Sequence, residues 1–278
     1  MLKIAAAGRH VAALGETPDD LRARLQARGI SVRRVNRFIE LALLGAVQCR
    51  DDHGAAIAAD AALYMAADTP MLAGCVNALH ATLAEQRPPT PFEFMNISGN
   101  MAGFYIAQQL TIGGPQLALA RRGSGLEAAL ELLHLQSHSH RRALLGCVDA
   151  GVWPLAEQRQ RLGLDADAAL FETSHWFYVD VDCTAPRVLI ETPRRYGSLD
   201  ALRAMLADVA ESTWLALHPS LDAGALGLTT ATRVDAIGQG ATAEALHRYC
   251  ESESQAPWLH LSRDESGVWH VLAARKPV

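Results

Sequence analysis

A serine set between two glycines, Gly123-Ser124-Gly125, follows a strand-like run and opens a helix-like one. A hydroxyl at a helix N-terminus can act as a nucleophile, because the free N–H groups there stabilise an oxyanion. It would need a base, and His218, at the end of a later strand-like run, is the candidate. Continued as Gly123-Ser124-Gly125-Leu126-Glu127-Ala128, the same stretch fits a relaxed G-x-G-x-x-A turn that cradles a dinucleotide, with Asp149 ending the next strand. The plainer reading makes Ser124 a helix N-cap. His134, His138 and His140 are spaced to bind a metal from one helical face, yet they end a predicted helix beside Arg141 and Arg142, a common place for solvated histidines. No metal is expected.

The elements that must position these residues alternate between apolar runs and amphipathic stretches, the pattern of a layered α/β protein. Strands are expected at residues 2–7, 63–67, 117–121, 143–148 and 171–181, the last rich in aromatic and β-branched residues. Helices are expected from Thr17-Pro18 to Gly29, over 36–49, from Thr69-Pro70 to Gln86, over 96–110 and over 124–135, the Thr-Pro pairs reading as caps. After Pro186 the alternation restarts with strands at 188–191 and 213–217, helices at 199–210 and 242–250, and closing strands at 258–262 and 268–273. Residues 117–121 are expected to form a buried strand running directly into the helix at Ser124.

Half of the 278 residues are apolar, so the chain can bury a large core without disulfide or metal. Its formal charge of −5 is dispersed, and no basic stripe follows a phosphate backbone. Nucleic acid is not an expected partner. The five cysteines lie far apart with no C-x-x-C pair and read as free thiols of a reducing compartment. Arg9 and His10 interrupt the first apolar run before it reaches the length of a signal peptide or membrane span, so a soluble cytoplasmic protein is expected.

One region carries a resemblance. It runs Ser98-Gly99-Asn100-Met101-Ala102-Gly103, then Gly114-Pro115-Gln116, then Gly123-Ser124-Gly125, then Leu145-Gly146-Cys147-Val148-Asp149-Ala150. In order and spacing it resembles the β-ketoacyl synthases, with their Ser-Asn-Met-Ala-Ala-Gly helix start, Gly-Pro-Asn strand start, nucleophile elbow and later Gly-Gly-x-Asp/Glu-Ala strand. In that family a strand delivers a cysteine to the start of a buried helix, where the dipole lowers the thiol pKa. The resemblance puts Gly123 at the cysteine position, so the nucleophile is missing. It puts His218 at the first catalytic histidine and Gln239 at the second, with no lysine in the Lys-x-x-x-Gly-His segment.

The resemblance implies a thiolase-like layered αβαβα architecture, two mixed sheets sandwiching buried helices, in two related halves. These are residues 1–185 and a shortened C-terminal half, 186–278. It implies a chain-length-factor-like member whose degenerate site gathers Gly123, His218 and Gln239 and which lacks independent activity and cofactor. Such a chain pairs with an active ketosynthase in polyketide, aryl-polyene or fatty-acid-like assembly, meeting acyl carrier protein through that partner. The dimer edge would be Leu117, Ala118, Leu119, Ala120 and Arg121. An acyltransferase or hydrolase using Ser124, and a nucleotide-binding protein, stand as alternatives.

Overall fold

A computed structural model describes residues 1–15, 17–210, 212–226, 228 and 240–277. Gln239 therefore lies outside the described residues. In chain order the elements are β1 (Leu2–Ala13), α1 (Leu21–Gln26), α2 (Arg37–His53), β2 (Ala62–Ala67), α3 (Leu72–Leu83), α4 (Pro91–Met95), α5 (Met101–Leu110), β3 (Gln116–Ala120), α6 (Gly125–Gln136) and β4 (Arg142–Asp149). There follow α7 (Leu155–Leu162), β5 (Phe171–Asp180), β6 (Val188–Ile190), β7 (Arg194–Tyr196), α8 (Leu199–Ala207), β8 (Trp214–Leu217), α9 (Ala241–Glu251), β9 (Trp258–Arg263) and β10 (Trp269–Arg275).

Hydrogen bonds join the strands in the order β3-β2-β4-β5-β1-β6-β10-β9-β8, with β7 beside β10. The expectation of two separate sheets is corrected on this point. Residues Leu2–Ile4 of β1 pair with β6, while Ile4 and residues 6–13 pair with β5, so one strand stitches the two half-sheets into a single path. β3, β2 and β4 are mutually parallel, and β5 and β1 reverse direction in turn.

Three apolar cores sort the helices into layers. The first packs Leu41, Leu44 and Val47 of α2 and Ile106 of α5 against one face of the β1–β5 half-sheet. The second takes Leu130 and Leu133 of α6 and Leu246 and Tyr249 of α9, together with Ile4 and Phe177 from one half-sheet and Trp258 and Leu272 from the other. The third closes Leu202 of α8 on Leu217, Leu261 and Val271. Helix, sheet, helix, sheet, helix is the αβαβα succession, with α6 and α9 covered on both sides. Central strands such as β2 and β4 are buried on both faces, which is why they read as unbroken apolar runs.

Several boundaries differ from the sequence expectation. Helix α1 starts later than the Thr17-Pro18 cap because the Asp20 carboxylate, not Thr17, accepts from Ala23 N–H. Met71, at φ 60°, and not Thr69 precedes α3. The segment before α5 folds separately as α4, closed by a capping box in which Thr90 and Glu93 each satisfy the other's backbone N–H. The strand expected to be buried at 117–121 is an exposed edge: β3 has β2 on one side only, and Leu117 is 39% exposed. It does run into α6 as expected, with Ser124 at the N-cap position. Among the described residues no helix is long and apolar enough to cross a membrane.

Helix α2 lies unusually close to the sheet. A Cβ at Gly8 of β1 would stand 2.2 Å from the Cys49 nitrogen and 2.5 Å from the Gly45 carbonyl, both backbone atoms that cannot yield. Gly8→Ala should therefore destabilise the chain by about 3 kcal/mol, the upper range of overpacking. A denaturant midpoint unchanged from wild type would contradict this close approach.

Candidate functional site

Three parallel strands end at one level. The β2–β4 register matches Ala66 with Cys147, and the β2–β3 register matches Ala67 with Ala120. Two residues further on, Asp68 and Asp149 therefore emerge side by side, and the chain leaving β3 turns beside them through Gly123 into α6. The Asp149 Oδ1 accepts the Asp68 backbone N–H at 3.1 Å, and the Asp68 Oδ1 accepts the Gly123 N–H at 3.2 Å. Asp68, Gly123 and Asp149 line one cavity of about 610 Å³. Leu162, Leu164, Leu170 and Phe171, from α7 and the segment leading into β5, form its apolar wall, and His218, Arg122, Arg263 and Glu265 complete it. A narrow extension joins Gly123 and His218 to Glu127, Cys147 and Gly240.

Gly123 and His218, about a hundred residues apart in sequence, thus face the same space. Gly240, which follows Gln239, also lines its extension. Gly123 sits at φ +73°, in the left-handed region that a residue with a Cβ enters only under strain. It has room, since an added Cβ would meet nothing nearer than Arg263 O at 3.9 Å. The elbow is sterically open and conformationally suited to glycine.

The other candidates for chemistry are poorly armed. Ser124 is 1% exposed, makes no side-chain cap bond, and its Oγ has no hydrogen-bond partner among the described residues. The expected N-cap bond is absent because the residue sits at φ −151°, ψ 29°. The His218 Nδ1 lies 2.8 Å from the Ser220 Oγ, and burial lowers the ring's pKa. Burial drives the Cys147 thiol well above its ordinary value, with the Asp149 charge adding to it, so it is no thiolate. Glu127, four residues past the elbow, is buried and accepts the Ser262 hydroxyl at 2.6 Å and the Thr242 hydroxyl at 3.0 Å.

The sequence points to Asp149 as a dinucleotide acid and as part of the Gly-Gly-x-Asp/Glu-Ala resemblance, but not to Asp68, Glu127 or the α7 wall. An acidic residue just past each of two apolar strand runs was the available signal. The structure gives Asp149 a different setting from a dinucleotide acid, because it faces Asp68 within a sheet that turns antiparallel at β5 and is not doubly wound. All five cysteines are unpaired thiols. Among the described residues no group of three or more His, Cys, Asp or Glu could hold a metal, and the His134 Nδ1 is turned to the Leu130 carbonyl.

No family model matches this sequence, and no curated protein matches it. Solved structures do. The ishigamide ketosynthase/chain length factor superposes with a TM-score of 0.74 at 14% identity, covering 94% of this chain and 86% of that one. AntDE:AntF, a type II polyketide synthase acyl-carrier protein in complex with its ketosynthase bound to the hexaketide, gives 0.74 at 9% identity over 99% of each chain. The 3-oxoacyl-[acyl-carrier-protein] synthase III of Aquifex aeolicus gives 0.58 at 12% identity, over 99% of this chain and 100% of that one. The chain has the thiolase fold of the condensing enzymes.

The acid pair has a measurable consequence. Burial, and then the Asp68 charge, pushes Asp149 up to about 8; burial also pushes Asp68 up to about 6, with Glu127 and Glu265 adding and Gly123 and Arg122 opposing. Folded Asp149 keeps its proton to about pH 8 whereas the unfolded residue loses it near pH 4, so folding takes up a proton across that window and stability falls as pH rises. His175 and His260, held by burial at about 3, act oppositely, but their contribution changes only below roughly pH 6.5, where unfolded histidine charges. Between pH 6.5 and 8 the wild type should lose up to about 1.4 kcal/mol per pH unit through Asp149. Asp149→Asn should flatten that decline in denaturant titrations; an identical slope would show that Asp149 titrates normally.

Proposed function

We propose that this chain is a non-catalytic, chain-length-factor-like partner of an active β-ketoacyl synthase, acting in polyketide, aryl-polyene or fatty-acid-like chain assembly. The observation that carries the reading is Gly123: the elbow that in this fold presents a nucleophile holds a residue with no side chain, in a conformation suited to glycine. Neither Ser124, buried without a base in hydrogen-bond reach, nor the protonated Cys147 replaces it. In this reading Gly123, His218 and Gln239 are remnants of a condensing site, 1–185 and 186–278 are the two thiolase-like halves, and acyl carrier protein is met through the partner. A solved relative in fold is itself a ketosynthase/chain length factor.

The edge of β3 supports the pairing. Arg121 N–H donates to Ala67 O, and Leu63 N–H donates to Pro115 O. By strand alternation Leu117, Leu119 and Arg121 turn their backbone groups to β2, leaving those of Gln116, Ala118 and Ala120 pointing outward. Small side chains at 118 and 120 let another strand approach. Close by, α3, α4 and α5 leave Leu79, Leu83, Phe94 and Phe104 more than half exposed, an apolar display unusual for a chain that stands alone. An open strand edge of this kind calls for a partner or for protection.

Co-expression with each intact ketosynthase of the source genome, read by native mass spectrometry, should yield a one-to-one complex. Ala118→Pro removes an outward donor and is tolerated on an edge, so it should abolish the complex while leaving the fold intact. Leu119→Pro would instead remove a donor to β2 and so would report on the sheet and not on the pairing. A monomer that ignores every ketosynthase, or a complex indifferent to Ala118→Pro, would refute the pairing.

The isolated chain should not condense acyl and malonyl thioesters. Gly123→Cys should restore little turnover, because Gln239 stands where the second histidine of the enolate-stabilising pair would be. Robust condensation by the purified wild type would overturn the non-catalytic reading.

A further inference from the structure

Among the described residues neither Asp68 nor Asp149 makes an ion pair or accepts a side-chain hydrogen bond. Elsewhere among the described residues the buried acids are matched: Glu172 is held by two 2.7 Å bonds from Arg37, Glu244 by Arg9 and Arg248, and Glu127 by two hydroxyls. Asp149 is 6% exposed and its Oδ1 accepts a backbone N–H, yet its Oδ2 is buried with no hydrogen-bond partner. A buried acceptor left without a donor costs free energy. Asp68, beside it, accepts the Gly123 N–H and no side chain.

The other charges of the cavity do not neutralise the pair. Its lining carries the carboxyls of Asp68, Asp149 and Glu265 against the guanidiniums of Arg122 and Arg263. Arg122 is engaged by Glu265 at 3.0 Å, and Arg263 stacks over the Trp269 ring at 5.0 Å while donating to the Gly267 carbonyl. What remains is an acidic floor under the apolar wall of Leu162, Leu164, Leu170 and Phe171, in a volume that suits a small ligand.

We propose that the Asp68–Asp149 pair is a subsite for a primary ammonium group whose apolar body lies along that wall. An ammonium carries several N–H donors, enough to engage both carboxyls, and its charge offsets that of the carboxylate left when Asp149 gives up its proton. A hydroxyl or a carboxylate would leave the charge unmatched. The inference rests on the cavity alone and not on pairing with a ketosynthase.

Binding must displace the proton that Asp149 holds at neutral pH, since an ammonium favours the ionised carboxyl. Affinity should therefore rise as pH increases through about 8 and fall as Asp68 gains its proton below about 6. Arg122, Arg263 and the His218 ring oppose a cation, whereas Glu127 and Glu265 favour it; Cys147 stays neutral.

Isothermal titration of the whole chain with hexylamine, hexanol and hexanoate at pH 7.5, in buffers of different ionisation enthalpy, tests this. Hexylamine should bind at least about tenfold more tightly than either control, with close to one proton released. Asp149→Asn should cost about tenfold or more in that affinity and remove the proton release. Should that variant misfold by circular dichroism, Asp68→Asn, which leaves the more deeply buried acid in place, should weaken binding likewise. Hexanol binding as well as hexylamine, or amine binding unaffected by a folded Asp variant, would overturn the proposal. The same preparations tried for complex formation keep the two readings separable, because loss of amine binding leaves ketosynthase pairing untouched.

Discussion

Everything distinctive about this molecule follows from three parallel strands ending level with one another. Parallel pairing is a strict geometric relation: once β2 fixes β3 and β4 in register, the residues after their last hydrogen bonds share one rim. Here that rim holds Asp68, Gly123 and Asp149, and the helix leaving Gly123 passes into the buried middle layer. A slip of one residue would turn each side chain to the opposite face and scatter the group. The rim is thus as well determined as the sheet, whose apolar faces leave it no alternative register.

Burial decides what that rim can do. In water two neighbouring carboxylates would ionise; at the foot of an apolar wall their charges are costly, and the inner one is held protonated near neutrality. The same environment silences Cys147 as a nucleophile and strips Ser124 of a base. What the rim holds is a shaped volume with two acids on its floor and a glycine, Gly123, where α6 begins.

Most of the architecture was legible because it depends on periodicity. The two-sided apolar runs at 62–67 and 142–149, and the amphipathic helix after Gly123, announce an α/β protein, and the family resemblance carried by Ser98 to Ala150 narrows it to one fold. Legibility failed where long-range pairing decides. Whether 117–121 is buried depends on how many neighbours it gains, and it gains one; its composition is that of a central strand. Asp68 and Asp149 lie 81 residues apart, and only the β2–β4 register brings them together. The cap at Thr17 failed because the Asp20 carboxylate does that task nearer the helix, and the cap at Thr69 because α3 starts only at Leu72, after Met71, which makes no side-chain cap bond.

The first strand has a mechanical meaning beyond its place in the order. Leu2–Ile4 belong to one half-sheet's ladder and most of the rest of β1 to the other's, and the core they enter contains Phe177 on one side and Trp258 and Leu272 on the other. Neither half possesses a complete interior. Separated at residue 185, each would carry an apolar face as broad as the α6–α9 layer with nothing to lie against it. The core around α6 and α9 thus draws on both sides of residue 185, so a cut there would expose it from both sides.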